Sequence, residues 1–206
     1  MNLSEATSPA SSLRVLDFDI ENRPLSYWIP DRPTAEITSI AAAWDDGGEP
    51  DVHVWLLGVR CAHGKCRRYH HGCSAEEMLE GFTTLFAQAD IVTGHYIRRH
   101  DLPIISGALL EFQRELLGEK LVIDTKVDMR KKADIPATQE HLSDMFHLVE
   151  SKYHMTQARW RLANRLTPEG MEQTKTRVVA DVIQHMALRK AMTAAGWLNP
   201  PKMWRP

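Results

Sequence analysis

The sequence predicts an α/β domain on a mixed five-stranded sheet, three antiparallel strands followed by parallel ones, with helices flanking it. Three observations carry that prediction. Three segments with strand character follow one another between residues 14 and 57, separated by turn-forming residues, as antiparallel neighbours are. From 52 to 123, strand-like and helix-like segments alternate, which implies parallel strands joined by right-handed crossovers. The first strand, Arg14-Val15-Leu16-Asp17-Phe18-Asp19-Ile20-Glu21, places acids at every second position, so Asp19 and Glu21 emerge on one face with Phe18 and Ile20 on the other. Two carboxylates about 7 Å apart along a strand suit divalent cations if further acids reach them from elsewhere.

After the first strand, 22–33 holds Pro24, Pro30 and Pro33 and cannot stay regular for long. Residues 36–44 read as the second strand, Asp45-Asp46-Gly47-Gly48 as a turn and 52–57 as the third strand. The insert 61–73 carries Cys61, Cys66 and Cys73 with three histidines. Its spacing matches no compact zinc knuckle, so a solvated basic loop is the reading and structural zinc the alternative. Ser74 and Glu77 form a capping box for a helix whose buried stripe is Met78, Leu79, Phe82, Leu85 and Phe86.

Residues 89–92 make the fourth strand, ending at Thr93-Gly94-His95. Asp101-Leu102-Pro103 opens a second helix, and 121–123 is the fifth strand. Residues 139–148 read as a helix with Leu142, Met145 and Phe146 inside. The stretch 152–165 is basic, with Arg159, Arg161 and Arg165. Thr167 caps the last long helix, with Pro168 at its first position and Met171, Val178, Val179, Val182 and Met186 inside; Gly196 ends it. The organisation expected is a loose leader over 1–12, one domain over 13–195, and a Pro- and Trp-rich tail over 196–206.

The chain has 206 residues, of which 43% are hydrophobic and 25% charged, enough for one buried core. No apolar run reaches a membrane-spanning length, and the start lacks a basic-then-apolar signal segment. An odd number of cysteines argues against a disulfide scaffold and for a reducing, cytoplasmic compartment. A net charge of −2 counts against a passive nucleic-acid binder. It counts little against a metal-dependent nuclease, whose acids offset its basic patches.

Asp101 lies between a strand end and a helix start, and Asp181 lies well inside the last helix beside its apolar stripe, where an acid is costly unless a cation meets it. In order and spacing, Asp19-Ile20-Glu21, Gly94-His95 through Asp101-Leu102-Pro103, and Asp181 resemble the three motifs of the DEDD, proofreading-type 3'-5' exonucleases, over about residues 14–190. The resemblance implies a ribonuclease H-like fold, two bound Mg2+ or Mn2+ ions held by Asp19, Glu21, Asp101 and Asp181, and release of nucleoside monophosphates from the 3' end of DNA. A polymerase or other replication protein is the partner it suggests.

The chain departs from that family where a tyrosine four residues, or a histidine five residues, before the last aspartate orients water: those positions hold Arg177 and Thr176. His185, one turn after Asp181, is the candidate base in their place, and Arg177 a phosphate ligand. Both also suit plain ion pairing with Asp181. His95, Tyr96 and His100 flank the expected cleft as substrate contacts. The same acids would serve an endonuclease or junction-cutting enzyme, or survive in a silent nucleic-acid-binding module.

Overall fold

The computed structural model describes residues 13–24, 35–58, 69–129, 135–150 and 152–206. The leader 1–12, most of the proline-rich loop and positions 61–68 of the cysteine insert, and with them the zinc alternative, lie outside the described residues. The strands are β1 (Val15–Pro24), β2 (Ala35–Trp44), β3 (Val52–Leu57), β4 (Tyr69–Cys73), β5 (Ile91–Gly94), β6 (Lys120–Asp124) and β7 (Lys202–Trp204). The helices are α1 (Ala75–Gln88), α2 (Asp101–Glu111), α3 (Gln139–Met145), α4 (Gln157–Asn164) and α5 (Pro168–Ala194).

The five expected strands form the middle of a seven-stranded sheet of order β4-β3-β2-β1-β5-β6-β7, a mixed α/β, ribonuclease H-like arrangement. β1, β2 and β3 pair antiparallel, and β1, β5 and β6 pair parallel. Two edge strands correct the count of five. β4, inside the stretch read as a loop, pairs parallel with β3, and β7, within the stretch read as a tail, pairs antiparallel with β6. Both have a physical reason: a bare sheet edge offers unpaired N–H and C=O groups to any nearby segment. Prolines 200 and 201 precede β7 and suit it to an edge, where a missing N–H is tolerated, and Trp204 packs edge-on against Phe86.

The sheet's alternation sorts the core into two layers. Leu16, Phe18 and Ile20 of β1 join Met78, Leu79, Phe82 and Phe86 of α1 and Leu102, Ile105 and Leu109 of α2 on one face. On the other, Ala41, Ala43, Val54 and Leu56 meet Met171, Val178, Val182 and Met186 of α5. Ala41 and Ala43 lie directly opposite Asp19 and Asp17. Their small side chains let α5 approach the strand that carries the acids. A third cluster, Met129, Leu142, Leu188, Met192 and Leu198, ties α3 and the segment after α5 to the same helix. Met145, expected inside, is 40% exposed because α3 ends there, before another turn can carry the stripe onward.

Gly170 lies in the first turn of α5, capped by Thr167, where an added Cβ would run into the α4 backbone at Leu162 and Ala163. Replacing a helical glycine by alanine gains about 0.5–1 kcal/mol in an open position. Overpacking against backbone costs about 1–3 kcal/mol, so the loss should win here. Gly170→Ala should therefore lower the urea midpoint, whereas Gly107→Ala in α2, with open space around it, should raise it. Parallel urea titrations check both signs.

Candidate active site

The acid-bearing face of β1 is covered by α5, whose residues 177, 181, 185 and 189 fall four apart and therefore on one side of the helix. The two elements bring carboxylate oxygens of Asp19, Glu21 and Asp181 within 4.8 Å of one another. The ladder register of β1 shifts between Glu21 and Asn22, a local irregularity of the kind that re-aims side chains beside sites.

Asp101 joins them from α2. β1 pairs with β5 only from Val15 to Asp17, so the strand edge beyond is open on that side. The Ile20 backbone N–H, between the two β1 acids, donates to Asp101 Oδ1 at 3.2 Å. Asp101 is 2% exposed, and it begins α2 without itself acting as the N-cap, which is His100. Three separated elements thus deliver four carboxylates, three with oxygens within 4.8 Å of one another and Asp101 beside them on the Ile20 N–H.

Burial, then the neighbouring Asp101, Asp181 and Glu21, hold the Asp19 carboxyl well above the usual carboxylate range. Burial raises Glu21 to about 7 against the opposing pull of Arg177. It likewise raises Asp101 to about 7, against the hydrogen bonds it accepts from its own and Ile20's backbone N–H. Asp181 is raised by burial and pulled back by Lys152 and Arg177. These cations are inside the cluster: Arg177 Nε lies 3.2 Å from Glu21 Oε1 and 2.8 Å from Asp181 Oδ2, and Lys152 Nζ lies 3.7 Å from the same Asp181 oxygen. Arg177 Nη1 donates to the Tyr153 carbonyl, which anchors the guanidinium.

The other oxygen, Asp181 Oδ1, is buried without a hydrogen-bond partner. Four carboxylates with no sulfur or imidazole among them form a hard oxygen donor set, which fits Mg2+ or Mn2+ rather than zinc. The orphaned oxygen of Asp181 is a buried acceptor that such a cation would satisfy.

The remaining predicted residues are placed otherwise. His185 is 2% exposed, and its Nδ1 bonds Asp17 Oδ1 at 2.9 Å. Asp17, fully buried, also accepts Arg189 at 3.2 and 3.0 Å, and Arg189 reaches Asp45 at 2.8 Å. The helical spacing that aligns His185 with Asp181 also carries it past the acids, onto Asp17. His95 contacts Thr125 Oγ1 through Nδ1 and the Ala137 carbonyl through Nε2. Burial lowers it to about 3, so it is a neutral ring with both nitrogens engaged.

Tyr96 lines a cavity of about 310 Å³ with Arg99 and Lys126, whose ammonium lies 4.1 Å over its ring. His100 is exposed and donates from Nε2 to Asn22 Oδ1. Lys152 and Gln139 are site neighbours that sequence reasoning missed. Gln139 Nε2 donates to the Asp181 carbonyl and to Gln184 Oε1. No periodicity could have revealed either, because both come from short segments outside α5.

No protein-family model matches the sequence, and no curated protein does. Solved structures match in fold. One is the family B DNA polymerase of the hyperthermophilic archaeon Pyrobaculum calidifontis, at a TM-score of 0.57 and 16% identity. The match covers 92% of this chain and spans a quarter (25%) of the polymerase.

The raised acids set a pH dependence. Glu21 binds its proton more tightly in the folded chain, at about 7, than at its ordinary 4.5. Between those values the unfolded chain releases a proton that the folded chain keeps, so stability falls as pH rises through the window and levels off above it. Relative to Glu21→Gln, the metal-free parent should lose melting temperature from about pH 4.5 to 7. Thermal melts of both proteins across that range test the sign.

Proposed function

We propose that the chain is a divalent-metal-dependent phosphodiesterase acting as a 3'-5' exonuclease on single-stranded DNA ends. The observation that carries the reading is the convergence of Asp19, Glu21, Asp101 and Asp181 from β1, α2 and α5. The motif resemblance supplies the exonuclease direction. The likeness in fold to a DNA polymerase supports nucleic acid as the substrate and partner, DNA ahead of RNA. Among the described residues no helix is long and apolar enough to cross a membrane.

The four carboxylates would hold the metal. When bound, it supplies a lowered pKa for the attacking water and positive charge for the phosphate in the transition state. The chain's own residues restrict how the proton leaves. Arg177 stays protonated and cannot accept it. The Thr176 hydroxyl donates to its own helix at Glu172. His185 is shut away from solvent against Asp17. With these three set aside, the carboxylates of the cluster remain to accept it. Arg177, a fixed positive charge beside the acids, is placed to attract a phosphate oxygen as a charge-assisted donor.

Asp101→Asn should lower Mn2+-dependent release of mononucleotides from a labelled linear oligonucleotide by more than about 100-fold, beyond the 10–100-fold typical of residues that only orient ligands. A circular single strand should survive intact, and nicking of the circle would replace the exonuclease with an endonuclease. His185→Gln should cleave within about threefold of the parent, where loss of a general base costs about 10²–10⁴. Arg177 lodged among the acids favours a second reading, a nucleic-acid-binding module without turnover. Oligonucleotide binding with no Mn2+-dependent cleavage selects it.

A further inference from the structure

The charge inside the cluster is already half compensated. Four carboxylates carry four formal negative charges, and Arg177 and Lys152 return two of them. One divalent cation neutralises the remainder; a second would leave the site positive. Geometry agrees with this balance. Arg177 Nε donates to Glu21 Oε1 and lies 2.8 Å from Asp181 Oδ2, the guanidinium side chain is only 16% exposed, and the Tyr153 carbonyl accepts from Nη1. To admit a second ion between Glu21 and Asp181, that guanidinium must leave both acids and the carbonyl. Asp181 Oδ1 needs no such displacement, being buried and without a hydrogen-bond partner.

We propose that the site takes one divalent ion, bound at Asp19 and the free oxygen of Asp181, whose carboxylates lie within 4.8 Å of each other, and that Arg177 permanently fills the charge position of a second ion between Glu21 and Asp181. The inference rests on the metal-dependent reading above and sharpens it. Arg177 becomes the residue that sets metal stoichiometry, at the position where the family's water-orienting tyrosine would stand.

Counting bound Mn2+ tests this on the full chain without substrate. Electron paramagnetic resonance measures free Mn2+ during a titration and detects exchange coupling when two ions lie close together. The parent should saturate at one ion per chain with no coupled signal, any second ion binding at least about 100-fold more weakly because a buried ion pair must open first. Arg177→Met should take up two ions and show coupling, with circular dichroism confirming that it folds.

A parent that binds two coupled ions with affinities within about tenfold overturns the proposal while leaving the metal site standing. An Arg177→Met protein that folds and still stops at one ion also overturns it. If neither protein binds Mn2+, the metal-dependent function itself fails. The parent's stoichiometry and spectrum decide the question even if the variant does not fold.

Discussion

The structure depends on how α5 is clamped across the acid-bearing face of β1. At one end Arg189 and His185 hold Asp17; at the other Arg177 holds Glu21, and Asp181 comes to the acids from between them. The helix therefore runs opposite to the strand. From Asp17 to Glu21 the strand advances about 13 Å, whereas 177 to 189 spans about 18 Å of helix. The difference falls at the two ends, where the long arginine side chains can absorb it. The Arg189 clamp is the more deeply buried. Asp17 is fully enclosed, and removing Arg189 would leave its buried charge with the His185 hydrogen bond alone, a loss of about 3–5 kcal/mol.

Apolar packing is what forces the acids together. Met171, Val178, Val182 and Met186 seat α5 on Ala41, Ala43, Val54 and Leu56. Burying four such side chains is worth about 6–12 kcal/mol as an upper estimate. The same packing crowds carboxylates whose ionised forms burial disfavours. The site is in this sense a region the fold compresses at a loss, one that a bound cation would recover. The same packing explains why the acid cluster and the core share one helix: the apolar stripe and the 177-to-189 stripe are adjacent, so seating one places the other.

What was legible in the sequence was local. The alternation in β1 separated Phe18 and Ile20 from Asp19 and Glu21 correctly, since a strand's period of two survives any tertiary context. Thr167, Pro168 and Gly196 marked α5 because caps are chemical features of the termini. The Arg177 pairing with Asp181 followed from helical spacing, but its bond to Glu21 joins residues 156 apart and no periodicity encodes it. Lys152 was hidden for the same reason. β4 and β7 were missed because edge strands are short and polar or proline-flanked, and depend on the neighbour's open edge rather than on their own pattern. His185 lies on Asp17 because one spacing puts it in line with both Asp181 and Asp17, and only the length of the strand decides between them.

The placement of Asp101 follows from an acid that is not among the four. Asp124, at the end of β6, accepts the backbone N–H groups of Tyr96, Arg98, Lys126 and Val127, and Asp128 in turn accepts from Asp124's own N–H. Those bonds hold Tyr96 in the left-handed region at φ 71°, a conformation that an L side chain otherwise avoids. The chain thereby turns away from the sheet directly after Gly94. Gly94 itself must lack a Cβ, since one would collide with Ile97 and with the Phe18 carbonyl of β1. The turn ends the β1–β5 ladder at Asp17 and leaves the Ile20 N–H free of a strand partner on that side. Asp101 supplies the missing acceptor and so is drawn between Asp19 and Glu21. The gap in the ladder has a backbone cause, and it is what lets a carboxylate from a different element enter the sheet.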